Sequence, residues 1–442
     1  MYRISILGTG YVGLSTAVCF ASRGYDVITS TYSKDKIELI NRGIPPFYEP
    51  QLREMLEAAV KAGRLRAVYG REEAVHGSDV SFITVGTPSR PDGSIDLRFI
   101  EAAAKEIGEA LGSKKEYHLV VAKSTIVPGT TEGVIKPLIE AASGKCAGAD
   151  FGLAMSPEFL RQGASIHDTL NPDRIIIGEL DRRSGDLLED LFRGFYGEET
   201  PPVLRMYLTS AEMIKYANNA FLATKVSFIN EMANICERIG GVDVDLVARG
   251  IGLDERIAPR FLEAGPGWGG SCFPKDVKAL IALSRQLDFE PTLMEAVVKV
   301  NLKQAEHAVE TVKKELGGLE GRTVAILGLS FKPETDDTRE SPAFKIIDGL
   351  LKGGARVRAY DPQAIKNTRR RYGDRIYYAG DAPDCLSDAD CAVLVTHWME
   401  FKGLEPETFR ERMRRPILID TRRLYDREAY SKALTYRAVG IG

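Results

Sequence analysis

One tract of this chain carries the residue types of a reactive thiol. Residues 265–276 read Gly-Pro-Gly-Trp-Gly-Gly-Ser-Cys-Phe-Pro-Lys-Asp, a glycine-rich loop that delivers Cys272 just before a proline suited to a first helical turn. The glycines let main chain approach a ligand closely, and a helix N-terminus beside Lys275 favours the ionised sulfur of Cys272. A thiolate so placed can add to a carbonyl and leave again as the sulfur of a thioester. Lys215 and Asn219 are four apart in a helical pattern, so they share a face and can both donate to an oxygen that gains negative charge. Hydrolysis of a thioester needs a carboxylate near water, and two residues qualify: Glu158, next to Pro157, and Asp276, one helical turn beyond Cys272. No histidine falls in these motifs.

The elements that must position these groups are legible as two strand-and-helix frames around a helical centre. Arg3-Ile-Ser-Ile-Leu-Gly-Thr-Gly-Tyr-Val-Gly13 runs an apolar strand, Tyr2 to Leu7, into G-x-G-x-x-G and a helix from Leu14 to Arg23, with a second strand over 26–31. This is a dinucleotide-binding frame: Gly8 allows the tight turn, Gly10 admits the pyrophosphate and Gly13 brings the helix against the strand. Strands are expected again at 80–85, 118–122, 151–155 and 174–177, separated by helical stretches. A long helix is expected over 209–240, with Thr209 or Ser210 as N-cap and Gly240-Gly241 as its stop, forming a spine between two sheets and a dimer surface. A second frame starts at Arg322-Thr-Val-Ala-Ile-Leu-Gly-Leu-Ser-Phe-Lys332, with strands at 324–327, 356–360, 391–395 and 416–419. Only Gly328 of its three-glycine pattern survives, so this half can meet a phosphate with Lys332 but cannot cradle a dinucleotide. The expectation is an α/β chain of two Rossmann-like doubly wound parallel sheets joined by a long central helix, divided at 1–200, 201–310 and 311–442. A cofactor is expected on one half and a nucleotide-bearing substrate on the other.

Composition excludes several classes. The chain has 442 residues, more than one core accommodates, and its formal charge of −3 gives no surplus for binding nucleic acid. Six cysteines (Cys19, Cys146, Cys236, Cys272, Cys385, Cys391) show neither metal nor disulfide spacing. No apolar run reaches membrane-spanning length, and a strand at the very start leaves no room for a signal peptide. A cytoplasmic, metal-free enzyme is expected.

With these motifs assembled, the chain resembles the UDP-glucose/GDP-mannose dehydrogenase family over essentially its whole length, most closely its UDP-glucose members. The resemblance rests on Gly8-x-Gly10-Tyr-Val-Gly13, Val85-Gly-Thr-Pro88, Lys123-Ser-Thr-Ile-Val-Pro-Gly-Thr130, Ser156-Pro-Glu-Phe-Leu160, Lys215-x-x-x-Asn219, the cysteine tract, Phe331-Lys332, Thr335-Asp-Asp-Thr-Arg339-Glu-Ser341 and Asp420-x-Arg422, in the family's order. It implies a four-electron oxidation of a UDP-sugar C6 alcohol to a carboxylate with two NAD(P)+, through a thiohemiacetal and a thioester on Cys272. It implies that Glu158 assists the acyl and hydrolytic steps, and that Asp276 works with Lys215 and a water held by Thr125.

For the substrate, the resemblance implies Glu158, Phe159, Leu160, Lys215, Asn219, Phe261, Gly265, Gly269, Cys272, Lys332 and Arg422, with Arg256 contributed across a dimer interface in a homodimer or larger homo-oligomer. For the cofactor it implies Gly8, Gly10, Tyr11, Val12, Gly13, Thr31, Lys36, Thr87, Thr125, Glu158, Lys275 and Arg339. One departure stands out: the family's acidic residue at the end of strand two is Thr31 here, with Ser33 and Lys34 following, so NAD is expected with NADP also admitted. Other sugar nucleotides remain open: GDP-mannose, UDP-N-acetylglucosamine or UDP-N-acetylmannosamine. A non-catalytic nucleotide-sugar sensor has no need of Cys272, Lys215, Asn219 and Asp276 together, and a two-electron β-hydroxyacid dehydrogenase explains neither the cysteine tract nor the second sheet.

Overall fold

Short apolar runs bounded by turn residues become strands buried end to end. Ile4–Leu7, Val80–Ile83 and Leu119–Ala122 are buried at every residue, as expected for parallel strands covered on both faces. The computed structural model describes residues 1–442, which form two units, Met1–Asn218 and Asn219–Gly442.

The first unit holds β1 (Ile4–Leu7), β2 (Val27–Thr31), β3 (Leu65–Tyr69), β4 (Val80–Ile83), β5 (Leu119–Ala122), β6 (Gly152–Met155), β7 (Ile175–Glu179) and β8 (Val203–Tyr207). They make one eight-stranded sheet in the order β3-β2-β1-β4-β5-β6-β7-β8. The helix Tyr11–Ser22 is buried at every residue from Gly13 to Ala21. Its small side chains, among them Ser15, Ala17, Cys19 and Ala21, let it sink into the core on one face of the sheet. The helix Arg98–Ser113 covers the other face with Ile100, Ala103, Ala104, Ile107 and Leu111.

The second unit contains β9 (Thr323–Leu327), β10 (Arg356–Tyr360), β11 (Tyr377–Tyr378), β12 (Cys391–Leu394), β13 (Ile417–Asp420) and β14 (Thr435–Ala438). All neighbours are parallel, in the order β11-β10-β9-β12-β13-β14. The helices Thr292–Leu316 and Pro342–Lys352 bury one side of that sheet. The long helix Leu208–Cys236 carries the chain from one unit into the next.

The expected architecture is present, with three corrections. The first sheet is not wholly parallel: β7 runs antiparallel to β6, and β8 is parallel to β7. Between β6 and β7 the chain forms only the six-residue helix Ser165–Leu170, too short for the usual crossover that returns a strand in the same direction. The long helix begins at Leu208 and ends at Cys236, so Thr209 and Ser210 lie inside its first turn and do not cap it. Four strands escaped the sequence reading, β3, β8, β11 and β14, and each is a sheet edge.

Candidate active site

In the first unit the site residues gather at the C-terminal ends of the strands. Gly8 follows β1 at φ +135°, and a Cβ on Gly13 would fall 2.1 Å from the Gly8 carbonyl oxygen, so helix and turn touch there. Gly10 instead faces open space, with nothing within 4 Å of a Cβ built on it. Open space before the first-turn amides of Tyr11, Val12 and Gly13 is what a pyrophosphate requires. Thr31 ends β2; its hydroxyl accepts a bond from the Ser33 amide at 3.3 Å, and the Ser33 hydroxyl caps the helix Lys34–Asn41 by accepting from the Lys36 amide at 3.3 Å. The loops after β4 and β5 are stitched together, Thr87 donating to the Thr125 carbonyl at 2.9 Å and Ser124 to that of Val85 at 2.7 Å.

Beyond β6 the chain places a carboxylate out of water. Glu158 is 7% exposed, and its Oε1 lies 3.1 Å from Nζ of Lys215, itself 3% exposed. The other oxygen accepts the Leu160 amide at 2.6 Å. Burial pushes the Glu158 carboxyl up, but the Lys215 ammonium, the Leu160 amide and the charge of Lys123 outweigh it and hold the group below its ordinary range. The ring of Phe159 lies 5.4 Å from the Lys215 ammonium and 3.9 Å from the Arg174 guanidinium, which donates to Asn218 at 2.9 Å. Lys123 retains a partly exposed surface. The protein around its ammonium nonetheless lowers it to about 8, burial acting first, Glu158 opposing and Lys215 adding to the shift.

The second unit carries the nucleophile. Cys272 is the N-cap residue of the helix Phe273–Gln286, with Pro274 in the first turn, as the sequence predicts. It is partly exposed, whereas Cys19, Cys236, Cys385 and Cys391 are buried; burial pushes the Cys19 and Cys385 thiols up to about 12. Asp276 is 1% exposed and is held from two sides, by Asn219 Nδ2 at 2.6 Å and Lys275 Nζ at 2.5 Å. The Lys275 charge expected to favour the thiolate is thus paired with Asp276.

The glycine tract before Cys272 is braced by residues the sequence reading missed. Asn301 accepts from the Trp268 amide at 2.7 Å and donates to its carbonyl at 3.0 Å, Asn230 accepts from the Gly265 amide at 2.7 Å, and Ser227 accepts from the Trp268 indole at 3.0 Å. A Cβ on Gly269 would meet the Glu340 carbonyl oxygen at 2.3 Å. Phe261, at φ +66°, packs its ring 6.2 Å from that of Phe273. Arg422 donates to the Val395 carbonyl at 2.7 Å, and burial lowers its guanidinium to about 10, leaving it charged at neutral pH. Lys332 lies 5.7 Å from the Phe331 ring, and Arg339 is paired with Asp337 at 2.6 Å. Arg256 stands on the surface, its side chain 85% exposed and paired with Asp254.

In the second sheet Asp361, just past β10, occupies the position that faces the ribose in a dinucleotide fold. Here it is 1% exposed and accepts from the amides of Leu329 and Ser330 at 2.7 and 3.0 Å and from the Trp398 indole at 3.0 Å. Its acceptor capacity is consumed by the loop itself, which agrees with the degenerate glycine pattern there.

Three family descriptions match in sequence order: the NAD binding domain, the central domain and the UDP binding domain of the UDP-glucose/GDP-mannose dehydrogenase family, over residues 2–196, 209–303 and 325–427. The chain belongs to this family. It is 46% identical to UDP-glucose 6-dehydrogenase AglM of Haloferax volcanii over 96% of this chain and 97% of that protein. With UDP-glucose 6-dehydrogenase TuaD of Bacillus subtilis it shares 41% identity over 100% and 93%. The solved structure of a UDP-glucose dehydrogenase from the hyperthermophilic archaeon Pyrobaculum islandicum superposes with a TM-score of 0.93 at 40% identity, covering 100% of this chain and 98% of that one.

The family's NAD binding domain, residues 2–196, thus spans β1 to β7, and the residues there fit the cofactor: open space at Gly10 where a pyrophosphate would lie, a hydroxyl-bearing Thr31 at the end of β2, and the stitched Thr87 and Thr125 loops at the ends of β4 and β5. The missed Asn230, Asn301 and Ser227 carry no sequence motif of their own. Their one signal is that amides and hydroxyls are rare choices on the buried faces of helices.

Proposed function

We propose that this protein oxidises the C6 alcohol of UDP-glucose to the carboxylate of UDP-glucuronate, with Cys272 as covalent nucleophile. The setting of Cys272 carries the reading: a partly exposed thiol at a helix N-terminus, one turn from a buried carboxylate, while four of the other cysteines are sealed in the core. UDP-glucose is the substrate named for relatives at 46% and 41% identity over nearly the whole chain, which favours it over the other sugar nucleotides.

NAD+ held by the first unit would supply the hydride acceptor for each of the two oxidations. Lys215 and Asn219, one helical turn apart, donate to the C6 oxygen as it gains charge when the alcohol loses its proton. The thiolate of Cys272 adds to the aldehyde carbon while the aldehyde oxygen takes up a proton, giving a thiohemiacetal, and loss of a second hydride and a proton leaves a thioester. Asp276 and Glu158 draw a proton from water as it attacks that thioester; the carbon–sulfur bond breaks and Cys272 returns to the thiolate. One sugar alcohol and one water give one carboxylate, two hydrides and three protons.

The working division is a cofactor part, 1–200, a helical catalytic part, 201–310, and a substrate part, 311–442. A homodimer is part of the proposal: Phe221, Phe228 and Ile235 form an exposed apolar stripe at seven-residue spacing on the long helix, 65%, 48% and 47% exposed. Mixed and reassociated Cys272→Ala and Arg256→Ala proteins then regain activity in heterodimers; no recovery despite proven exchange means that Arg256 acts within its own chain. No helix is long and apolar enough to cross a membrane, and a reaction on dissolved nucleotides is proposed for the cytoplasm. The deciding experiment is stoichiometric: two NADH formed per UDP-glucose consumed. One NADH per sugar, or turnover only of another nucleotide sugar, overturns the reading.

A further inference from the structure

The end of β2 lacks the carboxylate that usually meets the adenosine ribose, and the structure shows what stands around it instead. Thr31 and Tyr69 are register partners in β2 and β3, and the Gly70 amide donates to the Thr31 carbonyl at 3.3 Å. This pairing brings Arg71, the first residue past that turn, beside Tyr32. Arg71 is 8% exposed. Its Nη1 lies 2.6 Å from a carboxylate oxygen of Glu106 and 3.4 Å from the Tyr32 hydroxyl, and its guanidinium stands 5.2 Å from the centre of the Tyr32 ring. The Tyr32 hydroxyl in turn donates to Glu106. Both polar contacts of Arg71 run through Nη1, so its Nε and Nη2 donors remain available to a ligand.

A guanidinium with one edge free is matched to an oxyanion of phosphate geometry. Lys34 and Lys36 lie on the helix that starts directly after Thr31 and Ser33. Asp35 and Glu106 offset two of the three cations Arg71, Lys34 and Lys36, so an acid at position 31 would cancel what remains.

We propose that Arg71 recognises a phosphate ester on the 2′ oxygen of the cofactor's adenosine, with Lys34 and Ser33 beside it, so that the first unit binds NADP as well as NAD. Tyr32 and Glu106 hold the guanidinium in place, and the hydroxyls of Thr31 and Ser33 serve the unmodified ribose of NAD. The proposal rests on the reading of this unit as a dinucleotide site, and the two are separable by experiment.

Binding of ADP-ribose and of 2′-phospho-ADP-ribose to the full chain is measured by calorimetry. The phosphorylated probe is expected to bind at least as tightly as the plain one. Arg71→Met is expected to weaken the phosphorylated probe about 10- to 100-fold, the size of a charged hydrogen bond, and to leave ADP-ribose within about twofold. Because Arg71 is buried, a second variant avoids the risk of misfolding: Thr31→Asp, on the strand end, is expected to reject the phosphorylated probe selectively while Arg71 stays intact. Binding of ADP-ribose with rejection of its 2′-phosphate by the natural protein overturns the proposal and leaves the dinucleotide site standing, as does equal weakening of both probes in either variant. Failure of both probes to bind the natural protein overturns the dinucleotide site and the proposal with it.

Discussion

Asn219 donates its side-chain amide to Asp276 across 2.6 Å with both side chains shut away from bulk water. Lys275 takes the other oxygen at 2.5 Å. A carboxylate fixed on both sides cannot turn away from its task, and it lies in the first turn of the helix whose N-cap is Cys272. This is a carboxylate held for one position, as general-base work demands.

Asp276→Asn keeps the volume and removes the charge. If Asp276 helps water attack the thioester, overall turnover falls about 10²- to 10⁴-fold, the usual contribution of a general base, while the thioester itself still forms. Intact-mass analysis of protein quenched during turnover then shows a covalent sugar-nucleotide adduct. Equal loss of activity with no adduct places the role of Asp276 before the thioester.

Cys272→Ser exchanges the thiolate for a hydroxyl that is a poorer nucleophile at neutral pH and a poorer leaving group. Steady-state carboxylate production is expected to stop, with any acyl group that forms trapped as an ester detectable by mass. Carboxylate made at the natural rate would falsify the covalent route.

How much of this was open to reading depended on where each residue sits. β1, β4 and β5 are buried on both faces, so their sequences are apolar but for the buried serines Ser5 and Ser81. The missed strands β3 and β14 alternate buried with exposed positions, and β8 has no fully buried residue at all; at a sheet edge the hydrophobic signal is diluted by water-facing side chains. The cysteine tract was readable because glycine, cysteine and proline each impose a local constraint. Asn301, Asn230 and Ser227 were not, because their partners, two backbone amides and an indole, lie more than thirty residues away in sequence. Glu158 was readable as a carboxylate, but its pairing with Lys215 joins a loop to a helix far along the chain.

That pairing complicates the simplest test of Lys215. Lys215→Ala removes an oxyanion donor and should cost about 10²- to 10³-fold in kcat, but it also strands the Glu158 carboxylate in a buried setting, which destabilises by about 3–5 kcal/mol when an ion pair is broken from one side. The double change Lys215→Met with Glu158→Gln removes both charges, so Tm should recover toward that of the natural protein while kcat stays low. Recovery of activity along with stability means that Lys215 is structural.

Lys123 supplies a test by pH. Its ammonium is lowered from 10.5 to about 8, burial being the first cause. Below pH 8 the group is charged in both folded and unfolded chains, and the folded protein bears the whole cost of keeping that charge out of water. Between pH 8 and 10.5 the folded chain gives up the proton while the unfolded chain retains it, so this residue's contribution to stability rises with pH, and above 10.5 the penalty is gone. Lys123→Met is therefore expected to raise Tm at pH 7, with Lys215 still compensating Glu158, and the advantage over the natural protein should shrink steadily between pH 8 and 10.5. A Tm gain independent of pH assigns the effect to packing, and a loss of Tm at pH 7 shows that the attraction of Lys123 to Glu158 outweighs its burial.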